Sequence, residues 1–193
     1  MSPLDSDQRR AMLALARRAV TEAARLQSIP PIHPQDPVAG PPAGLFVTLH
    51  QAGRLRGCIG RLGPGGSLAE TVVRCAAAAA IEDPRFSPVS SDEVAGLEIE
   101  ISVLSAPEPA SLDGIEVGRH GLLVTRGGAR GLLLPQVAAQ FRWTPQRFLE
   151  ETCVKAGLQR EAWKDPATLV QMFIAEVFSE AVLKQAAGEA PQS

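Results

Sequence analysis

The sequence predicts an α+β protein with an antiparallel sheet flanked by helices. Three observations point there. Helical and strand periodicities are mixed along the chain without a βαβ rhythm. Two short glycine-bearing turns, Gln51-Ala52-Gly53 and Gly127-Gly128, each join alternating segments as a hairpin would. The chain of 193 residues is 45% hydrophobic, enough to bury a core. One domain is expected over residues 1–186, with a disordered tail at 187–193.

Residues 6–27 form the first predicted helix. Met12, Leu15, Ala16, Ala19, Ala23 and Leu26 recur at helical spacing, while Arg17, Arg18, Thr21, Glu22 and Arg25 face away. Residues 28–43 are too rich in proline for helix or central strand and read as a long surface connection. GLFVTLHQ and RLRGCIG alternate as strands. Ser67-Leu68-Ala69-Glu70 is a capping box opening a helix over 67–82, and Asp83-Pro84 ends it. GLEIEISVLS, residues 96–105, alternates cleanly. Leu97, Ile99, Ile101 and Val103 share one face, and Glu98, Glu100 and Ser102 the other.

GLLVTRGGARGLLLP predicts the second hairpin. Thr144 and Pro145 predict an N-cap and first helical residue, with Gly157 as the stop. Residues 168–178 fit helix or strand by pattern, and their β-branched and aromatic content favours strand.

Composition excludes several classes. The net charge is −2 and the pI about 5.9, so no bulk attraction to nucleic acid exists. All 19 basic residues except Lys155, Lys164 and Lys184 are arginine, a bias that codon usage can explain. Tyrosine is absent, which argues against base-stacking platforms. No apolar run reaches membrane-spanning length, and MSPLDSDQRR lacks the apolar stretch of a signal peptide. Cys58, Cys75 and Cys153 are odd in number and lack CxxC spacing. They suggest neither a disulfide framework nor zinc, so a reducing cytoplasm is expected. The histidines and carboxylates show no metal-ligand spacing, and no cofactor is expected.

The stretch GRLRGCIGRLG, residues 53–63, sets a thiol among arginines and glycines. A three-residue loop, Gln51-Ala52-Gly53, pairs Leu49 with Leu55, Val47 with Gly57 and Leu45 with Ile59. All aliphatic side chains then share one face, and Gly53 supplies the positive φ. Phe46, Thr48 and His50 share the opposite face with Arg54, Arg56 and Cys58. Arg56 and Cys58, two apart on a strand, are about 7 Å from each other, and a guanidinium there favours a reactive thiolate. Gly57 and Gly60 leave the backbone bare, so a ligand can approach. The turn at 63–66 leads into a helix N-terminus that attracts anions. Together these resemble the rim of a site for a small anionic ligand. The competing reading is packing, because cysteine is among the most buried residue types and glycine permits close approach.

LRGCIG at 55–60 resembles the hallmark of the AMMECR domain family. GLFVTLHQAGRLRGCIG, DPRFSPV at 83–89, LEIEISVLSAPE at 97–108, HGLLV at 120–124, GLLLPQVA at 131–138 and CVKAGL at 153–158 fit in the same order. So do Trp163 and AEVFSE. The likeness covers roughly residues 8–180. It implies an α+β fold of two unequal subdomains. It also implies a place in the AmmeMemoRadiSam system, with a Memo-type protein and a radical SAM protein as partners. The family has no settled reaction, so the resemblance leaves open whether the chain is an enzyme. Arg61 stands where the family usually has a small hydroxyl residue and makes the surroundings more basic.

Two functional readings follow. In the first, the chain is a catalytic or substrate-handling component. Cys58 is nucleophile or carrier, and Arg56 with Arg54 or Arg85 holds an anionic group. The amides near Gly57 and Gly60 line the pocket, and His120 or Glu100 accepts a proton. In the second, the same groove is a non-catalytic adaptor for a peptide or small anion. Simpler roles compete at each position. Glu98 and Glu100 form a solvated or salt-bridged face, His120 is a hydrogen-bonded loop residue, and Arg85 holds a carboxylate. His33 and His50 are expected to be exposed. Phe86, Cys75 and Cys153 are expected in the core.

Overall fold

Local chemistry places the first helix, α1 (Ser6–Leu26). Asp5 accepts the Gln8 N–H while the Gln8 side chain accepts the Asp5 N–H, a reciprocal capping box. Met12, Leu13, Leu15, Ala16, Ala19, Val20, Ala23 and Ala24 are its buried face. The computed structural model describes residues 4–32, 43–63 and 66–182. Most of the proline-rich segment 28–43, including His33, lies outside the described residues, as do part of the 63–66 turn and the expected tail at 187–193.

The chain divides into two compact units, the first made of Met1–Val103 with Glu176–Ser193 and the second of Leu104–Ala175. In the first unit, strands β1 (Gly44–Gln51) and β2 (Arg54–Leu62) form an antiparallel hairpin. Helix α2 (Leu68–Ile81) follows, opened by the predicted Ser67/Glu70 capping box. It packs on α1, β1 and β2. Strand β3 (Leu97–Leu104) lies beside β1, and the long strand β7 (Leu169–Ser179) lies beside β3, so the strand order is β2-β1-β3-β7. Leu45, Val47, Leu49, Val72, Val73, Ile99 and Ile101 form the core with the apolar face of α1.

The second unit contains β4 (Glu108–Pro109), the hairpin β5 (His120–Arg126) and β6 (Ala129–Leu133), and helices α3 (Pro135–Gln140) and α4 (Pro145–Lys155). β5 pairs antiparallel with β6 and with β7, and β4 pairs antiparallel with the other edge of β7. Ile115, Leu122, Ala138, Phe148 and Leu149 centre its core, with Trp143, Trp163 and Met172 packed against them. Thr144 caps α4 through the Arg147 N–H, Pro145 follows, and Gly157 has a φ of 76°, as the sequence predicts.

Residues 168–178, expected as strand, form β7 at Leu169–Ser179, and the α+β class agrees with the sequence. α3 and three 3-10 turns do not follow from its patterning. Ser102, assigned to a polar face, is 1% exposed, because β3 is an inner strand buried on both faces at its end.

The first hairpin corrects the expected register. Its turn has two residues, with φ of 49° at Ala52 and 74° at Gly53, which matches the strand twist. Leu49 faces Gly57 while His50 faces Leu55, so Arg56 is the extra residue of a bulge. The bulge achieves part of what the longer loop would. Val47 now faces Ile59 and Thr48 faces Cys58, so Leu45, Val47, Leu49 and Ile59 share one face, while Leu55, expected there, pairs with His50 on the other face and is exposed.

Candidate functional site

β2 is an edge strand of the first unit, so its outward backbone groups need partners. At Cys58 they find them in the turn that ends α2. The Cys58 N–H donates to Asp83 Oδ2 at 2.8 Å, and the Arg85 guanidinium donates to the Cys58 carbonyl at 3.3 Å. Asp83 and Arg85 thus stand in for a neighbouring strand. They are also bonded to each other, Arg85 Nε to Oδ1 at 2.9 Å and its terminal nitrogen to Oδ2 at 2.7 Å. The Arg85 N–H adds a bond to Oδ1 at 3.1 Å.

The Asp83 carboxylate is buried, its side chain 2% exposed, and these donors hold it well below the usual carboxylate range. The Arg85 bonds dominate, burial opposes them, and the Cys58 N–H reinforces them. Arg85 is raised in turn, chiefly by its bond to Asp83 and to a smaller degree by the Cys58 side chain. The same guanidinium bonds the Cys58 carbonyl, so it lies against the backbone that carries the thiol.

The Cys58 side chain is half-buried on the face opposite Leu45, Val47 and Leu49. The Thr48 hydroxyl, directly across the hairpin, lies 3.4 Å from its sulfur as donor. Cys75 and Cys153 differ in kind. Both are buried in core clusters, and burial pushes the Cys75 thiol up to about 11 and the Cys153 thiol up as well.

The other predicted residues take different places. Arg56 leaves the strand at the bulge and makes a two-pronged pair with Glu93, at 3.0 and 3.2 Å, and a bond to the Ser87 carbonyl at 2.9 Å. Its guanidinium serves that loop. Arg54 is exposed at the turn. Phe86, expected in the core, is half-buried, with the Arg85 guanidinium 5.5 Å and the Arg56 guanidinium 6.0 Å from its ring centre.

Neither glycine leaves open backbone. A Cβ at Gly57 would meet the Ala79 carbonyl oxygen at 2.1 Å, because α2 crosses there. A Cβ at Gly60 would meet the Phe46 ring at 2.2 Å. The bare backbone expected beside Cys58 is therefore already covered.

Glu100 is half-buried on β3, and burial raises its carboxyl, with His50 opposing and Glu98 adding to the shift. His120 belongs to the second unit, where its Nδ1 accepts the Glu116 N–H at 3.1 Å. The first-unit cluster consists of Cys58, Thr48, Asp83 and Arg85. Arg85 is the sequence candidate it retains beside the thiol. Asp83 as backbone partner and Thr48 as sulfur neighbour were not among the sequence candidates. Their signals were the DPRF block and the alternation of β1. Among the described residues no group of three or more His, Cys, Asp or Glu could hold a metal ion, and no helix is long and apolar enough to cross a membrane.

Comparison with known proteins gives a consistent picture. The AMMECR1 family model matches residues 13–178. A protein of Methanothermobacter thermautotrophicus is 41% identical over 93% of this chain and 97% of its own length. Protein Mbar_A1807 of Methanosarcina barkeri is 39% identical over 93% of this chain and 92% of its own. The crystal structure titled Uncharacterized Protein PH0010 from Pyrococcus horikoshii superposes with a TM-score of 0.80 at 39% identity. It covers 88% of this chain and 89% of that one.

Proposed function

The chain belongs to the AMMECR1 family, and from that premise we propose that it is a cytoplasmic component of the AmmeMemoRadiSam system whose working group is the Cys58 thiol. Its partners are a Memo-type protein and a radical SAM protein, as the resemblance implies. One observation carries the role of the thiol. A half-buried sulfur lies within reach of the Thr48 hydroxyl, on a residue whose N–H is held by Asp83 and whose carbonyl is held by the Arg85 guanidinium. A hydroxyl donor and a cation are the surroundings in which a nucleophilic or carrier sulfur works.

The adaptor reading has its own support. Arg56 and Arg85 are bonded to carboxylates, and both glycines are covered, which leaves little of an open anion cradle. Alkylation by iodoacetamide, followed by peptide mapping across pH, tests the thiol. Cys58 should react in the native chain, and Arg85→Gln and Thr48→Val should each slow it several-fold while the fold persists. A rate insensitive to both variants refutes the reading. Cys58→Ala that still co-purifies with the Memo-type partner and still sustains the system's product establishes the adaptor instead.

A further inference from the structure

A separate feature lies wholly in the second unit. Two strand registers build it. Glu108 of β4 faces Met172 of β7, and His120 of β5 faces Ile174 of β7. Met172 and Ile174 are two apart on one strand and share a face. Glu108 and His120 therefore rise on opposite sides of an apolar strip. Ser105, Ala106, Arg119 and Phe173 complete the lining of a cavity of about 240 Å³.

The proton on His120 is fixed by its neighbour. The Glu116 backbone N–H can only donate, so Nδ1 is the acceptor and Nε2 carries the hydrogen. The His120 backbone N–H returns a bond to the Glu116 carbonyl at 3.0 Å, which locks the turn. The residue is 8% exposed, yet among the described residues Nε2–H has no partner. The atom is not sealed from solvent, so it is free to donate to a ligand in the cavity. Arg119, 59% exposed at the rim, adds a cation and is paired with Glu116 through one of its nitrogens. Across the strip, the Glu108 carboxylate has no ion-pair or hydrogen-bond partner among the described residues.

The two ends thus ask for opposite charges. Two strand spacings across and two residues along put the Cα atoms of Glu108 and His120 roughly 12 Å apart. An extended chain of about five methylenes, with a hydrogen bond at each end, spans that distance.

We propose that this cavity binds a small linear zwitterion. Its carboxylate is held by His120 Nε2–H and Arg119, its apolar chain lies over Met172 and Ile174, and its ammonium meets Glu108. The site is independent of the reading of Cys58.

The test uses 6-aminohexanoate, hexanoate and hexylamine as probes of the full ¹⁵N-labelled chain, following the His120 ring nitrogens by NMR. 6-Aminohexanoate should shift His120 Nε2 saturably and bind at least about fivefold tighter than either one-headed probe. Glu108→Gln should bring 6-aminohexanoate down to the level of hexanoate, and Arg119→Gln should weaken both carboxylates. Both substitutions are at exposed side chains, so folding is not at stake. No shift at His120 up to about 50 mM overturns the proposal. So does hexanoate binding as tightly as 6-aminohexanoate, or a shift shared equally by His50.

Discussion

Replacing Asp83 tests whether the Asp83–Arg85 pair truly substitutes for a missing strand. The carboxylate accepts from the Cys58 N–H and three times from Arg85. Hydrogen bonds to a charged group contribute about 1.5–3 kcal/mol each when buried. The Arg85 side chain is 53% exposed, so its share is screened and must be discounted. What remains is mainly the Cys58 N–H and the turn bond. Asp83→Ala should therefore cost about 2–4 kcal/mol, and Asp83→Asn, which keeps one acceptor oxygen, about 1–2 kcal/mol. Urea unfolding at pH 7 followed by circular dichroism measures both, and amide exchange at Cys58 should accelerate in the alanine variant. The pH course is equally specific. Because the native carboxyl lies below its unfolded value, its contribution is complete above about pH 4–5. It fades as acid titrates the native group. The gap between wild type and Asp83→Asn should be flat from pH 7 to about 5 and close below about 4. An alanine cost under about 0.5 kcal/mol, or a gap that widens in acid, would refute the edge-cap account.

Three further outcomes follow from the geometry. Gly57→Ala should destabilise by about 2–4 kcal/mol, because the Ala79 carbonyl cannot yield without moving α2, whereas Gly60→Ala should cost less by displacing the Phe46 ring; thermal melts rank the two. Native alkylation at pH 8 should modify Cys58 at least about a hundredfold faster than Cys75, whose thiol burial pushes up to about 11, and peptide mapping reads the ratio. Thr144→Ala should remove the α4 cap at about 1 kcal/mol, measured by urea unfolding with the fluorescence of Trp143 and Trp163, both in the second unit.

Much of the fold was legible because its signals are local. The Ser67/Glu70 box, the Thr144-Pro145 start and the alternation of Leu97 to Val103 each lie within a few residues. The register at Cys58 was not, because it depends on where Arg56 goes. Once that guanidinium finds Glu93, 37 positions away, Arg56 becomes the extra residue of a bulge, and the short turn keeps Leu45, Val47, Leu49 and Ile59 on one face while Leu55 is left outside. The same distance hid the site. Arg56 is next but one to Cys58 in sequence, yet Arg85, 27 positions away, is the residue that reaches the cysteine. The glycines misled for a related reason. Absence of a side chain reads as openness in a string of letters, but Ala79 and Phe46 already occupy the space.

Two carboxylates at the far end of β7 fasten α1 to the first unit. Glu176 accepts from the Leu4 N–H and pairs with Arg9, while Glu180 pairs with Arg17. These ties join positions 163 to 172 residues apart and fasten the polar side of a helix whose apolar side rests on α2. A variant lacking both carboxylates should therefore keep α1 on the core through its apolar face and lose only the fastening of its polar side.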